Sequence, residues 1–145
     1  MGNITASAVI SFAERLEERS TAFYKDMAER FPQEGEVFLS LAKGCEKTKT
    51  LVVRTYQETI SDALEAGFAF EGLRLTDYEV ELTLGKDANY EESLKMAIAL
   101  EGKATGFYQD VAKRSRSLLA TISMSFNSAA RNRKRHKKKL QSLTT

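Results

Sequence analysis

Cysteine, proline and tryptophan are nearly missing from this 145-residue chain, which has one Cys, one Pro and no Trp. A single cysteine excludes an internal disulfide framework and fits a reducing compartment. A single proline leaves long stretches in which helices can run unbroken. Basic residues are absent from the first twelve positions, MGNITASAVISF. That stretch is also too short an apolar run for a signal peptide or membrane span, so a soluble cytoplasmic protein is expected. Met1-Gly2 followed by Ser7 does not fit the myristoylation pattern, which places the hydroxyl earlier. Acidic residues are absent after Asp110. All 20 lie between Glu14 and Asp110, among 12 Lys and Arg, a net of −8. From Val111 onward there are 10 Lys and Arg and no acid. The net charge of +2 therefore hides a cationic C-terminal element on an anionic body.

What is present is a duplication. Phe12 to Phe31 reads FAERLEERSTAFYKDMAERF, and Met96 to Ser115 reads MAIALEGKATGFYQDVAKRS. At an offset of 84 the matches fall without a gap: Leu16 on Leu100, Glu17 on Glu101, Thr21 on Thr105, Phe23 and Tyr24 on Phe107 and Tyr108, Asp26 on Asp110. Both copies carry apolar residues at helical spacing, and in both the glutamate falls inside the apolar stripe. A carboxylate in a core stripe is costly unless paired, so what pairs with Glu17 and Glu101 is the functional question.

Taken in order, the first helix starts at Thr5 or Ser7, either of which can serve as N-cap, and ends near Phe31 ahead of Pro32 and Gly35. The second carries the stripe Val37, Phe38, Leu41, Ala42, Cys45, Thr48, Val52 and Tyr56, continuing to Ile60 and Leu64, with Gly67 as C-cap. The tight turn between them predicts an antiparallel pair. From 67 to 89 the helical period is lost, and Tyr78, Val80, Leu82 and Leu84 alternate with polar residues, an extended pattern. Such a long connection suits a crossover along a bundle. Asn89 with Glu92 predicts a capping box opening the third helix. The fourth starts near Ser115 or Ser117 and runs through Phe126, Ala130, Arg133, His136, Leu140 and Leu143. It echoes the second at an offset of 88, with Phe38 on Phe126, Ala42 on Ala130 and Val52 on Leu140. The expectation is one all-α domain over 1–145, with a helical hairpin at 5–66, a crossover at 67–89 and a second hairpin at 90–143.

A helix with Glu six residues before Phe-Tyr, followed by one of the form F-x-x-x-A-x-x-E-x-x-H, given twice, resembles the rubrerythrin-like branch of the ferritin-like superfamily. The likeness covers nearly the whole chain. It implies a ferritin-like four-helix bundle and a family that handles peroxide, oxygen or iron. Two irons are held there by one Glu from each of two helices and a Glu-x-x-His pair from each of the other two. Glu17 and Glu101 match the lone glutamates. In FLSLAKGCEKTKTL, Cys45 stands where the family has Glu and Thr48 where it has His. In FNSAARNRKRHKKKL, Arg133 stands at the Glu position and His136 keeps the His position. Shifting the second helix by one would offer Glu46 and Lys49, but Glu46 leaves the stripe set by Phe38, Ala42 and Val52.

Two readings of the bundle centre follow. In the first, Arg133 takes the place of the metal and neutralises Glu17 and Glu101; arginine keeps its charge and can bind carboxylates bidentately. In the second, Glu17, Glu101, Cys45 and His136 hold one metal, zinc or iron, although Arg133 one turn away opposes a cation. Cys45 otherwise packs as a small core residue, or is a thiol activated by Arg133. Tyr24 and Tyr108 are expected as core aromatics whose hydroxyls reach the polar cluster. The run Arg131 to Lys139, RNRKRHKKK, holds seven basic residues in nine. It reads either as a solvated helix end favoured by the C-terminal dipole, with the acidic body neutralising it, or as a polyanion-binding arm for nucleic acid, an acidic partner or an anionic membrane. Arg131, Lys134, Arg135, Lys138 and Lys139 are expected to face outward, and Arg133 and His136 inward. The function expected is a binding or scaffold role without a cofactor, as a homo-dimer or with a protein partner. The alternatives are a rubrerythrin-like oxidoreductase with an altered site and a nucleic-acid-associated protein.

Overall fold

The computed structural model describes residues 3–59, 69–115 and 120–144. Four helices dominate it: α1 (Ala6–Arg30), α2 (Gly35–Thr59), α3 (Tyr90–Ser115) and α4 (Ala120–Ser142). The continuation of α2 to Ile60 and Leu64, its cap at Gly67 and the start of α4 near Ser117 lie outside the described residues. No described helix is long and apolar enough to cross a membrane.

Local chemistry sets the helix ends. The Thr5 hydroxyl accepts from Ala8 N at 3.1 Å and caps α1, an interaction worth about 1 kcal/mol. Pro32 opens a 3-10 turn, Pro32–Glu34, which carries the chain into α2. At the start of α3, Glu92 N donates to Asn89 Oδ1 and Asn89 N donates to Glu92 Oε1, a reciprocal capping box.

Residue pairs fix the helix directions. Glu18 meets Lys49, and Gly35 lies beside Ala28, so α2 runs antiparallel to α1. Ser123 meets Ala112 and Arg133 meets Glu101, so α4 runs antiparallel to α3. Tyr108 meets Glu17 and Tyr24 meets Glu101, so α3 also opposes α1. It follows that α2 and α3 run the same way, and the connection between them must return along the bundle. A helix of 25 residues is about 37 Å long, which is the distance such a return must cover.

The described part of that connection lies along α1 and α3. Ala69–Glu71 (β2) pairs antiparallel with Asn3–Thr5 (β1), in the register Asn3 to Glu71 and Ile4 to Phe70. Phe70 is thereby buried beside Val9, Ile10 and Phe126. Gly72 follows at φ 76, a conformation that suits glycine. Further on, Arg19 donates to Val80 O, Lys103 to Asp77 O and Arg30 to Gly85 O. Tyr78 donates to Asp110 at 2.5 Å. Two features go beyond expectation: the short β1–β2 ribbon, and a 3-10 turn at Leu75–Tyr78 that ends on Tyr78, the first residue of the alternating stretch. From Glu79 to Leu84 the alternation is real but serves packing, because Val80, Leu82 and Leu84 turn inward without a partner strand among the described residues.

An aromatic chain runs through the core. Phe12 meets Phe107 at 4.9 Å between ring centroids, Phe107 meets Tyr108 at 5.1 Å, and Tyr108 meets Phe126 at 5.4 Å. Each such side chain contributes about 1.5–3 kcal/mol by burial, with edge-to-face contact adding to it. These rings tie α1, α3 and α4 together directly beside the polar centre.

Candidate functional site: a buried arginine between two glutamates

The centre of the bundle is polar. Glu17, Ser20, Thr48, Glu101 and Arg133 are all fully buried, and His136 is 9% exposed. Each faces inward because its helical register places it in an apolar stripe: Glu17 between Ala13 and Ser20, Glu101 between Ala97 and Ala104, Arg133 between Ala129 and Leu140. The outward set is equally regular, with Arg131, Lys134, Arg135, Lys138 and Lys139 all exposed.

Arg133 is the hub. Its Nη1 donates to Glu101 Oε2 at 2.7 Å, its Nε to Glu17 Oε2 at 3.3 Å, and its Nη2 to Ser20 Oγ at 2.7 Å. Nη2 also stands 3.2 Å from Glu17 Oε1, an ion-pair approach that forms no hydrogen bond. Ser20 passes its own proton to Leu16 O at 2.6 Å, which leaves its oxygen free to accept from the guanidinium. Three helices, α1, α3 and α4, are thus joined through one side chain.

Two tyrosines complete the cluster in a crossed pattern. Tyr108 of α3 donates to Glu17 of α1 at 2.5 Å, and Tyr24 of α1 donates to Glu101 of α3. The matched residues of the two repeats therefore exchange partners. Burial, joined by the facing carboxylate charge, raises both phenols well above the ordinary tyrosine range, so they remain donors.

The two carboxylates differ. Burial raises the Glu17 pKa, and Arg133 and Tyr108 offset this only in part. At Glu101 burial acts the same way, but Arg133, His136 and Tyr24 outweigh it, and the pKa falls below the ordinary value. The contacts agree, since the shorter arginine bond goes to Glu101. Burial also works against the Arg133 charge; the facing Glu101 and Glu17 carboxylates outweigh it and hold its pKa well above the usual arginine value. Burial pushes the Cys45 thiol itself well up. The thiol is therefore neutral, and the two carboxylates are what hold the guanidinium charge.

The sequence proposed Glu17, Glu101, Cys45 and His136 as one metal set. Ligand atoms of Cys45, Glu101 and His136 lie within 4.8 Å of one another, and Glu17 stands outside that group. His136 Nδ1 approaches Glu101 Oε2 at 3.4 Å, and neither His136 Nδ1 nor Glu101 Oε1 has a hydrogen-bond partner among the described residues. Thr48, at the position where the resemblance expects His, donates to Gly44 O at 3.0 Å and accepts from Asn132 Nδ2 at 3.3 Å. Glu46 is exposed, as its place off the stripe requires.

Ser20 and Gly44 are the site residues that sequence reasoning missed. Ser20 was legible only as a small member of the stripe. Gly44 makes room for the imidazole: a Cβ there would stand 2.6 Å from His136 Nε2. Gly44→Ala is accordingly expected to displace the ring and destabilise by about 1–3 kcal/mol. Adding His136→Ala should recover much of that loss in a double-mutant cycle read by urea unfolding. Equal losses with and without the histidine would mean that the glycine serves something else.

Comparison of the chain with protein-family models, with curated proteins and with solved structures returns no match.

Proposed function

We propose that this chain is a rubrerythrin-like bundle of the ferritin-like superfamily in which Arg133 occupies the di-iron position, and that it acts as a binding or scaffold protein. The observation that carries this reading is the fully buried guanidinium bonded to both Glu17 and Glu101. A cation already stands between the two carboxylates that would hold metal, and another beside it meets like-charge repulsion. The ligand set is also short, with a neutral thiol at Cys45 and a backbone-bonded hydroxyl at Thr48. The residues present do not fit a pair of irons. The path of the chain supports the fold assignment: two antiparallel hairpins joined by a connection that returns along the bundle.

A second reading has its own observation, the convergence of Cys45, Glu101 and His136. Thiolate, imidazole and carboxylate suit one zinc ion, whose bond lengths place ligand atoms roughly 3.3–3.8 Å apart. Elemental analysis after aerobic purification without chelators separates the readings. The first expects neither iron nor zinc in stoichiometric amount. One zinc per chain, lost on Cys45→Ser, would establish the second. Two irons per chain would overturn both.

A further inference from the structure

We infer that the exposed face of α4 binds the phosphate backbone of a nucleic acid. The inference stands on surface charge and does not depend on the reading of the core. Arg131, Lys134, Arg135, Lys138 and Lys139 are all exposed. Their spacing puts them on one side of the helix over about 12 Å. Among the described residues none of the five has a carboxylate within ion-pair distance. The two arginines bond only to neutral neighbours on their own helix, Arg131 to Ser128 and Arg135 to Asn132. The neutralisation by the acidic body that the charge balance allowed is therefore not made at these positions. Carboxylates of the body are engaged elsewhere, Glu18 with Lys49 and Asp26 with Arg30.

The patch extends onto α2. Lys43 and Lys47 are exposed and directly precede Gly44 and Thr48, the α2 residues that meet His136 and Asn132 of α4. α4 itself contains no acidic residue. A field of one sign along a rigid helix attracts a linear polyanion. Duplex nucleic acid carries one charge per roughly 1.7 Å of axis with both strands counted, so about seven phosphate charges lie within a length equal to this stripe. A membrane surface fits less well. An interfacial helix needs a row of apolar side chains to insert, whereas Ile122, Phe126 and Leu140 of α4 are buried and Met124 is its one large exposed hydrophobe among the described residues. The sequence carries no base-reading motif, so binding should be independent of base sequence.

The test is fluorescence anisotropy of a labelled mixed-sequence duplex with the whole protein, at about 50 mM and about 200 mM salt. If five phosphates are neutralised, affinity should fall about 500-fold between the two conditions, from a slope near −0.9 per contact. The variant with Arg131, Lys134, Arg135, Lys138 and Lys139 all changed to Gln should keep the same helical circular dichroism and lose duplex binding at the lower salt. Absence of duplex binding by the unaltered protein would overturn the inference. So would undiminished binding by a folded five-fold variant, or binding to phosphatidylserine vesicles or polyglutamate as tight as to the duplex.

Discussion

Replacing Arg133 by alanine should destabilise the protein by about 3–5 kcal/mol, because it leaves two buried carboxylates without a counter-charge. For a chain of this size that is a fall in Tm on the order of 10–20 °C. The loss has two parts, a cavity and an unpaired charge, and a second variant separates them. Arg133→Met combined with Glu17→Gln and Glu101→Gln fills the space and removes the charge. It should recover much of the stability, since concerted removal of a buried ionic cluster is often close to neutral. Differential scanning calorimetry at neutral pH reads both. An unchanged Tm in Arg133→Ala would show that Glu17 and Glu101 are not buried together as described.

The second large effect runs in the opposite sense. Combining Cys45→Glu, Thr48→His and Arg133→Glu gives the bundle the full ligand set of the family it resembles. All three positions are fully buried, as are Glu17 and Glu101. Without metal the variant carries four buried carboxylates and no cation, and it should be largely unfolded. Ferrous or manganous ion should restore the helical signal, with stabilisation of about 2.7 kcal/mol for each site at which free metal exceeds its Kd a hundredfold. The unaltered protein should show no such rise. A variant equally folded with and without metal would mean that the six positions do not converge closely enough to coordinate, and the family assignment would lose its main physical support.

Much of this centre was legible because helical periodicity is a strong signal. Glu17, Glu101, Arg133 and His136 were placed inward by stripes that also excluded Glu46, and the five cations were placed outward by the same register. The Asn89–Glu92 box was legible from two residues at fixed spacing. The β1–β2 ribbon was not, since three-residue strands have no measurable period and their pairing is decided by Phe70 filling a gap beside Val9 and Ile10. The 3-10 turn at Leu75–Tyr78 was not legible either, because four residues make a single turn and show no helical period. Nor could the sequence say that Tyr24 reaches across to Glu101 and Tyr108 to Glu17, because partner choice depends on how far two hairpins slide past each other. The sequence grouped Glu17, Glu101, Cys45 and His136, and of these the structure brings ligand atoms of Cys45, Glu101 and His136 within 4.8 Å of one another.

The chain has two matched halves but, among the described residues, one central arginine, since Arg133 corresponds to Cys45 at the offset relating α4 to α2. Two copies of the first hairpin, brought face to face, would enclose a pair of Glu17 carboxylates and no cation. Two copies of the second would bring a guanidinium for every Glu101. A first hairpin can therefore satisfy its charge only against a second one. While chains are being made in proximity, this bias penalises association between first hairpins from neighbouring molecules and rewards closure onto the half that follows. Sequence similarity between halves ordinarily invites mispairing; here one unmatched residue assigns each half a distinct role in assembly.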